Sequence, residues 1–326
     1  MSKKRDKRQA AKRSRRKRKQ QTSSQPSAQP ESMAFPDRRA MERAMADIGR
    51  LLEEQEFDSI DEANAFLAEM MASGGIPSAA PRTRSEEAQD LMYNAWESSS
   101  PRERVRLARQ ALEISPDCAD AYVLLAEEAA RDLQKACELY QQGVEAGERA
   151  LGEELFEEGE GFFWGILETR PYMRARAGLA QTLWALGEQE AAIAHYRELL
   201  RLNPDDNQGN RYELMACLVD LGRDDEAEEL FAQYKDDAAP DWLYSRTLVA
   251  FRHRGNRRQA QRLLKKALEF NPHVPDYLLG RKKLPRSLPP YITLGGEDEA
   301  AVYAVRFFQA WSSTPGALDW LAEQVR

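Results

Sequence analysis

Apolar residues recur at three- and four-residue spacing through most of the chain, the pattern of amphipathic helices, and no alternation of period two competes with it. From about residue 85 the helical pattern itself repeats. Gly187, Gly222 and Gly255 each separate two helical segments and lie 35 and then 33 residues apart. Five residues after each glycine comes an alanine, at Ala192, Ala227 and Ala260. Four residues further comes a large apolar side chain, at Tyr196, Phe231 and Leu264. Pro204 and Pro272 close the first and third units, and Pro240 stands near the end of the second. Glycine permits a tight turn between helices and alanine lets the second helix approach the first. The large side chain fills the space between units, and proline cannot continue the helical ladder.

A helix–turn–helix unit of about 34 residues with these landmarks resembles the tetratricopeptide repeat. Two earlier units stand in near register. Residues 85–118 carry Leu91, Ala108, Ala111 and Pro116, with Ser99 where glycine is usual. Residues 119–150 carry Tyr122, Leu125, Ala126, Ala136 and Tyr140 around a shortened turn. The expected architecture is all-α, a tetratricopeptide-type helical-pair solenoid of about five units over 85–274. Within it, residues 151–172 (LGEELFEEGEGFFWGILETRPY) break the register and read as an insertion or irregular helix.

Residues 1–32 read as a disordered basic tail, 33–75 as a helical N-terminal extension and 76–84 as a linker. In the extension, Met41–Gln55 places Met41, Met45, Ile48, Leu51 and Leu52 at helical spacing. Ser59 reads as the N-cap of a helix through Met71, with Glu62 completing a capping box. Residues 275–326 form a helical C-terminal cap. It holds a short helix over 275–282, the proline-rich loop KKLPRSLPPYITLGG, and a final pair over Glu297–Trp311 and Pro315–Val325. Ala301, Tyr303, Ala304, Phe307, Phe308 and Trp311 give the first of that pair its apolar face.

Charge changes the picture at one end. The net charge of −7 sums two opposite parts. Residues 1–20 hold twelve Lys or Arg and one Asp, which leaves 35 basic and 53 acidic residues in the other 306. A tail of +11 on a body of −18 needs its own explanation. Arg13, Arg15, Arg16, Lys17, Arg18 and Lys19 are phosphate-binding candidates, suited to nonspecific nucleic acid through counterion release. The same run fits a nuclear import signal in a eukaryote, and folding back on the acidic body is physically open. The tail has no aromatic residue to stack on bases. No apolar run reaches 18 residues and no secretory signal opens the chain, so a cytoplasmic setting is expected, with nuclear import open to the tail.

No catalytic motif emerges: there is no P-loop, GxGxxG after a strand, GxSxG or HExxH. Cofactor and metal are both expected to be none. His273 sits between Pro272 and Pro275 in FNPHVPDYLLG and reads as a turn residue, with no second histidine at ligand spacing. Cys118, Cys137 and Cys217 form no CxxC pair and read as small core residues in a reducing compartment. EELFEEGEGF reads as a solvated acidic face. The Phe162-Phe163-Trp164 strip is a partner-binding candidate whose competing reading is packing between repeats.

Interaction is then the function class that stands. Stacked pairs line a concave side with their first helices. Register from the turn glycines places Arg174, Gln181 and Trp184, then Gln208, Arg211 and Tyr212, then Tyr244 and Arg246, on or near that side. Such an arginine-plus-aromatic stripe suits an extended peptide with carboxylates. The competing reading pairs these arginines internally, for example Arg211 with Glu213 or Asp205. DDNQGNRY (205–212) reads either as a grip on peptide backbone or as an inter-repeat turn capped by Asp205 or Asp206.

ALEFNPHVPDYLL (267–279), LPPYITLGGEDEAAVYA (288–304) and PGALDWL (315–321) together resemble the C-terminal region of the suppressor of tumorigenicity 7 family. ALEISPDCADAYVLLAEEAA (111–130) resembles its first repeat region. The resemblance implies a tetratricopeptide-like core and interaction rather than chemistry, since no reaction or catalytic residue is established for the family. Eukaryotic members carry predicted membrane segments, which this sequence lacks. The expectation is a non-catalytic scaffold that binds a protein partner's segment in its repeat groove. The alternative is a nucleic-acid- or ribosome-associated adaptor tethered by the basic tail.

Overall fold

The turns that define the repeat are built by backbone geometry at two glycines. Gly187 and Gly222 adopt left-handed φ values of 86° and 67°. Each lets the following N–H fold back: Glu188 N donates to Leu183 O and Arg223 N to Leu218 O, both at 2.9 Å. This closure satisfies carbonyls that a helix end leaves orphaned, and a side chain with a Cβ would strain it. The computed structural model describes residues 38–55, 57–73, 75–253, 257–285, 287 and 292–326. The third expected turn glycine, Gly255, lies outside the described residues, as do the tail cations Arg13, Arg15, Arg16, Lys17, Arg18 and Lys19.

All described secondary structure is helical. Two units are separated between Met41 and Glu42, and the larger is Glu42–Arg326. The order begins with α1 (Arg38–Glu53) and α2 (Ile60–Ala72). Five helix pairs follow: α3 (Arg84–Glu97) with α4 (Pro101–Ile114), α5 (Ala119–Glu128) with α6 (Leu133–Glu158), α7 (Arg170–Leu186) with α8 (Gln189–Leu202), α9 (Asn210–Asp220) with α10 (Asp224–Gln233), and α11 (Pro240–Arg252) with α12 (Arg257–Phe270). α13 (Val274–Leu278), α14 (Glu297–Ser313) and α15 (Ala317–Gln324) complete the chain. Each pair packs on its sequence neighbours, and first helices also meet one another, α3 with α5, α5 with α7 and α9 with α11.

The small-then-large logic of the repeat holds at the last three pairs: Ala192, Ala227, Ala260, Tyr196, Phe231 and Leu264 are all buried. The apolar interior forms two clusters that meet at α5, where Ala121, Leu124 and Leu125 face the first pair and Val123 faces the third. In the first pair, where the turn glycine is missing, hydroxyl caps replace it, and in the second the Asp132 carboxylate caps α6. Ser98 ends α3, and Ser100 starts α4 by accepting from Glu103 N, with Pro101 at the first helical position. Ser59 caps α2 by accepting from Glu62 N, while Glu62 reaches the Asp58 N–H rather than that of Ser59.

The break expected at 151–172 is milder than an insertion. α6 runs on to Glu158 through a kink at Gly152, and two single 3₁₀ turns (163–165 and 167–169) lead into α7. Phe163 is fully buried against Phe156 and Tyr172, whereas Phe162 next to it is exposed, so the aromatic strip is split. Gly143 and Gly147 let α6 lie close against α7. A Cβ on Gly147 would meet the Tyr172 Cβ at 2.8 Å and its Cα at 3.2 Å, and one on Gly143 the Ala175 Cβ at 3.0 Å.

Two glycine substitutions should therefore have opposite signs. Gly147→Ala forces α6 off the α7 backbone and should lower the unfolding free energy by roughly 1–3 kcal/mol. Gly49→Ala in α1, where a Cβ would meet nothing within 4 Å, should raise it by up to about 1 kcal/mol. Chemical denaturation of both variants checks the pair.

Candidate functional site

Asp120 enters α5 between Ala119 and Ala121 and is wholly buried. A carboxylate there needs a cation, and Arg174 of α7 supplies a two-pronged one, with Nε to Oδ1 at 2.8 Å and Nη2 to Oδ2 at 2.7 Å. The remaining prong of Arg174 turns to Glu42 of α1, with Nη1 at 3.1 and 2.9 Å from its two oxygens. Arg170 reaches the same Glu42 at 3.4 Å. Trp96 and Trp164 lie under the two guanidinium groups, at 5.5 Å from Arg174 and 5.2 Å from Arg170. Burial alone would lower the Arg174 pKa, but the Asp120 and Glu42 carboxylates overcome it and hold it above its ordinary value.

A second knot fixes α1 two turns further on. Arg50 donates to both oxygens of Asp90 at 2.8 and 3.0 Å and to Ala79 O at 3.1 Å, and its Nε lies 2.9 Å from Glu86. Asp47 accepts from the Ala79 N–H at 3.0 Å. Thus α1 lies on first helices, α3 and α7, rather than on second helices. Between α1 and the pairs beneath it remains a crevice of about 430 Å³, lined by Met45, Gly49, Gln89, Tyr93, Tyr172 and Arg174 among others.

α14 does the equivalent at the other end, packing across α9 and α11. Arg306 donates to Glu213 Oε2 at 2.6 Å and lies 3.9 Å from Asp241. Tyr303 is buried against the Tyr244 ring at 5.5 Å and accepts from Trp311 Nε1 at 2.9 Å. Asn271, fully buried, ties the cap to the last pair: its Nδ2 donates to Gly296 O and Glu299 Oε2, and its carbonyl accepts from Tyr244 Oη at 2.6 Å. Burial pushes the Asp241 carboxyl up to about 6. Arg306 opposes this, while Glu299, Glu213 and Asp237 add to it.

The expected groove residues do not form one open stripe. Arg174 is committed to Asp120 and Glu42, as described. Arg211 pairs with Asp206 at 2.9 Å and Asp237 at 2.8 Å, not with Glu213 or Asp205, and lies over Tyr212 and Tyr234. Tyr212 donates to the same Asp237 at 2.7 Å. Arg211 and Tyr212 are thereby brought together, apart from Arg174. Tyr244 is fully buried beneath α14, so as placed it offers nothing to a ligand. Gln208 is half-buried and accepts from Asn210 Nδ2. Gln181 is exposed, Trp184 half-buried against the core, and Arg246 half-buried with no ion pair among the described residues. In DDNQGNRY, Asp206 caps α9 from a left-handed φ of 50°, accepting from Asn210 N and Arg211 N. Phe308, assigned to the apolar face of the cap, is exposed.

The side chains that sequence reasoning passed over are mostly charges inside apolar stripes: Glu42, Asp47, Arg50, Asp120 and Asn271. Asp120, set in ADAYVLLAEE, was the most visible of these. Cys118 and Cys217 are buried free thiols, and burial pushes both up to about 12, consistent with core residues. His195 is pushed down to about 4 by burial and so stays neutral at pH 7. Among the described residues no group of His, Cys, Asp or Glu is placed to hold a metal ion, and no helix is long and apolar enough to cross a membrane.

Arg174→Ala should leave Asp120 and Glu42 buried without a cation and lower stability by roughly 3–5 kcal/mol. Urea unfolding of the variant reads this directly, and a loss under about 1 kcal/mol would contradict the buried-triad geometry. Asp241 gives a pH signature. Between its ordinary value and about 6 the native state holds a proton that the unfolded chain has released. Its contribution therefore favours folding at low pH and is lost as pH rises through 6. Asp241→Asn should flatten the fall in stability over that window and raise stability at pH 7 by up to about 3 kcal/mol, as read from denaturation curves between pH 4 and 7.

A family model described as "ST7 protein" matches residues 80–241 and 253–324. Human "Suppressor of tumorigenicity 7 protein-like" is 32% identical over 256 residues, covering 71% of this chain and 44% of the relative. "Protein ST7 homolog" from Drosophila melanogaster is 28% identical over 262 residues, covering 72% and 48%. The chain thus spans about half the length of the curated relatives it matches. Among solved structures, YrrB, titled "a TPR protein with an unusual peptide-binding site", aligns with a TM-score of 0.41 and 19% identity, covering 57% of this chain and 84% of that one. Arg170, Arg174 and Asp120 fall inside the matched stretch, within the same helix pairs that carry the repeat signature. By the extent of that match, the chain belongs to the suppressor of tumorigenicity 7 family.

Proposed function

We propose that the chain is a non-catalytic interaction scaffold that receives a protein partner's segment on the face made by its first helices, α3, α5, α7, α9 and α11. One observation carries this reading. That face already seats two helices of the chain itself, α1 through the Glu42 pairs with Arg170 and Arg174, and α14 through buried rings with the Arg306–Glu213 pair at its edge. A surface that holds helices through charged side-chain tips and buried rings has the chemistry that peptide-binding repeats need. In this reading Gln181, Trp184 and Arg246, which retain exposure, are candidate contacts for the partner, with Gln208 just before α9.

A second reading rests on the composition of the tail. Twelve cations in the first 20 residues suit phosphate binding, and an adaptor held to nucleic acid through Arg13–Lys19 would lose affinity steeply with salt.

A nuclease-treated pull-down from the native host separates the two, with residues 1–326, residues 33–326 and the double variant Gln181→Arg/Arg246→Glu as baits. The scaffold reading expects the same protein partner from the first two baits and about tenfold less from the double variant. Recovery that needs both the tail and intact nucleic acid would favour the adaptor and count against the scaffold.

A further inference from the structure

The stretch of α1 within the Glu42–Arg326 unit inverts the usual rule for a packed helix. Between Glu42 and Glu53 the buried side chains are Glu42, Asp47 and Arg50, all charged, while Met45 is exposed and Ile48, Leu51 and Leu52 are only half-buried. A helix held by apolar burial shows the reverse pattern. Here attachment depends on charge geometry. Glu42 reaches Arg170 and Arg174, Arg43 reaches Asn94 and Glu97, and Arg50 reaches Asp90 and Glu86.

The underside of the helix is not filled. The 430 Å³ crevice lies between α1 and the pairs below, and Gly49 points toward open space there. In the connection to α3, α2 has no buried residue and moving it uncovers no core, and the hold on α1 there is again polar, through the Ala79 backbone to Asp47 and Arg50. The repeat body closes its own apolar clusters without α1, since neither cluster includes a residue before Ala88.

We propose that residues 42–53 are a resident occupant of this face, and that the face accepts in their place a partner's helix bearing a glutamate and an arginine at the spacing of Glu42 and Arg50. The inference rests on the reading that the first-helix face binds partner segments. The recognition code is bipolar. A basic station, Arg170 and Arg174 over their tryptophans, takes the carboxylate, and an acidic station, Glu86 and Asp90, takes the guanidinium. The two anchors are eight residues apart, about 12 Å along a helix. Their opposite signs fix the direction in which the incoming helix lies, and a helix of reversed polarity meets like charge at both stations. The resident copy raises the threshold for entry, because a partner must outcompete a tethered segment of high effective concentration.

The test uses the full chain and a labelled synthetic peptide, RRAMERAMADIGRLLE, the sequence of α1, standing in for the partner helix. Glu42→Lys places like charge against Arg170 and Arg174 and should open the resident helix. Arg50→Glu does the same at the acidic station and serves if the first variant fails to fold. The peptide should bind either opened chain at least tenfold tighter than the wild type. A peptide with Gln in place of both anchors should lose that gain. In the wild type, amides of 42–53 should exchange hydrogen faster than those of α5 and α7, by local opening below global unfolding.

Failure of the peptide to bind both opened variants overturns the proposal, as do 42–53 amides that exchange only with global unfolding. Opening accompanied by a doubled mass in light scattering assigns the exchange to a second copy of the chain and also overturns it. Peptide binding with no partner recovered by pull-down supports the occupant and counts against the scaffold reading. A recovered partner that binds while 42–53 stay protected does the opposite.

Discussion

A carboxylate buried with no exposure cannot stand alone, and Asp120 sets the terms for the N-terminal half of this fold. Its two oxygens take two donors of Arg174, and the donor left over on Arg174 must in turn find an acceptor. Glu42 provides it. The triad thereby links α5, α7 and α1, three elements that are far apart in sequence, through one guanidinium. Removing Arg174 strands both carboxylates in a medium where a lone charge costs several kcal/mol, whereas losing Glu42 leaves the Arg174–Asp120 pair in place. The adjacent Arg50 knot repeats the arrangement with the signs exchanged. Two stations of opposite sign give α1 a place and a direction although its apolar side chains contribute little burial.

The C-terminal half solves the same problem with more grease. α14 brings Ala300, Ala304, Tyr303, Phe307 and Trp311 into the main cluster, so it is sealed onto α9 and α11 by apolar burial, and Arg306 only trims the edge. The two ends of the face therefore differ in kind. One is a fixed cap that closes the array. The other is a polar latch over an incompletely filled crevice. For an interaction scaffold this asymmetry matters, because the polar end is where exchange is physically cheap.

Much of the fold was legible because the repeat is enforced by local rules. Gly187 and Gly222 are required by left-handed turns, and alanines at Ala192, Ala227 and Ala260 are required by close helix approach. Such signals sit in the sequence at fixed offsets. The first pair lacks the glycine but still carries a local start signal in Ser100 and Pro101, which cap and open α4. What could not be read was anything fixed by contacts between distant segments. Register from the turn glycines placed Arg174 and Arg211 on the first helices, but it carried no information about Glu42, 132 residues away, or Asp237, 26 residues away. Tyr244 fell in the same register and is sealed under Tyr303, because α14 was expected to close the end of the array and instead also covers its first-helix side. At 151–172 an insertion and an irregular helix were both open, and α6 in fact continues to Glu158 because Gly152 bends it without ending it.

The Glu42–Arg174 charge pair, rather than apolar packing, holds α1 to the repeat. A double-mutant cycle with Glu42→Gln and Arg174→Met, read by equilibrium unfolding, tests it most directly. The account predicts a coupling energy of about 1–3 kcal/mol between the two sites. Additive effects, with coupling indistinguishable from zero, would mean that α1 does not depend on the triad and would contradict the account.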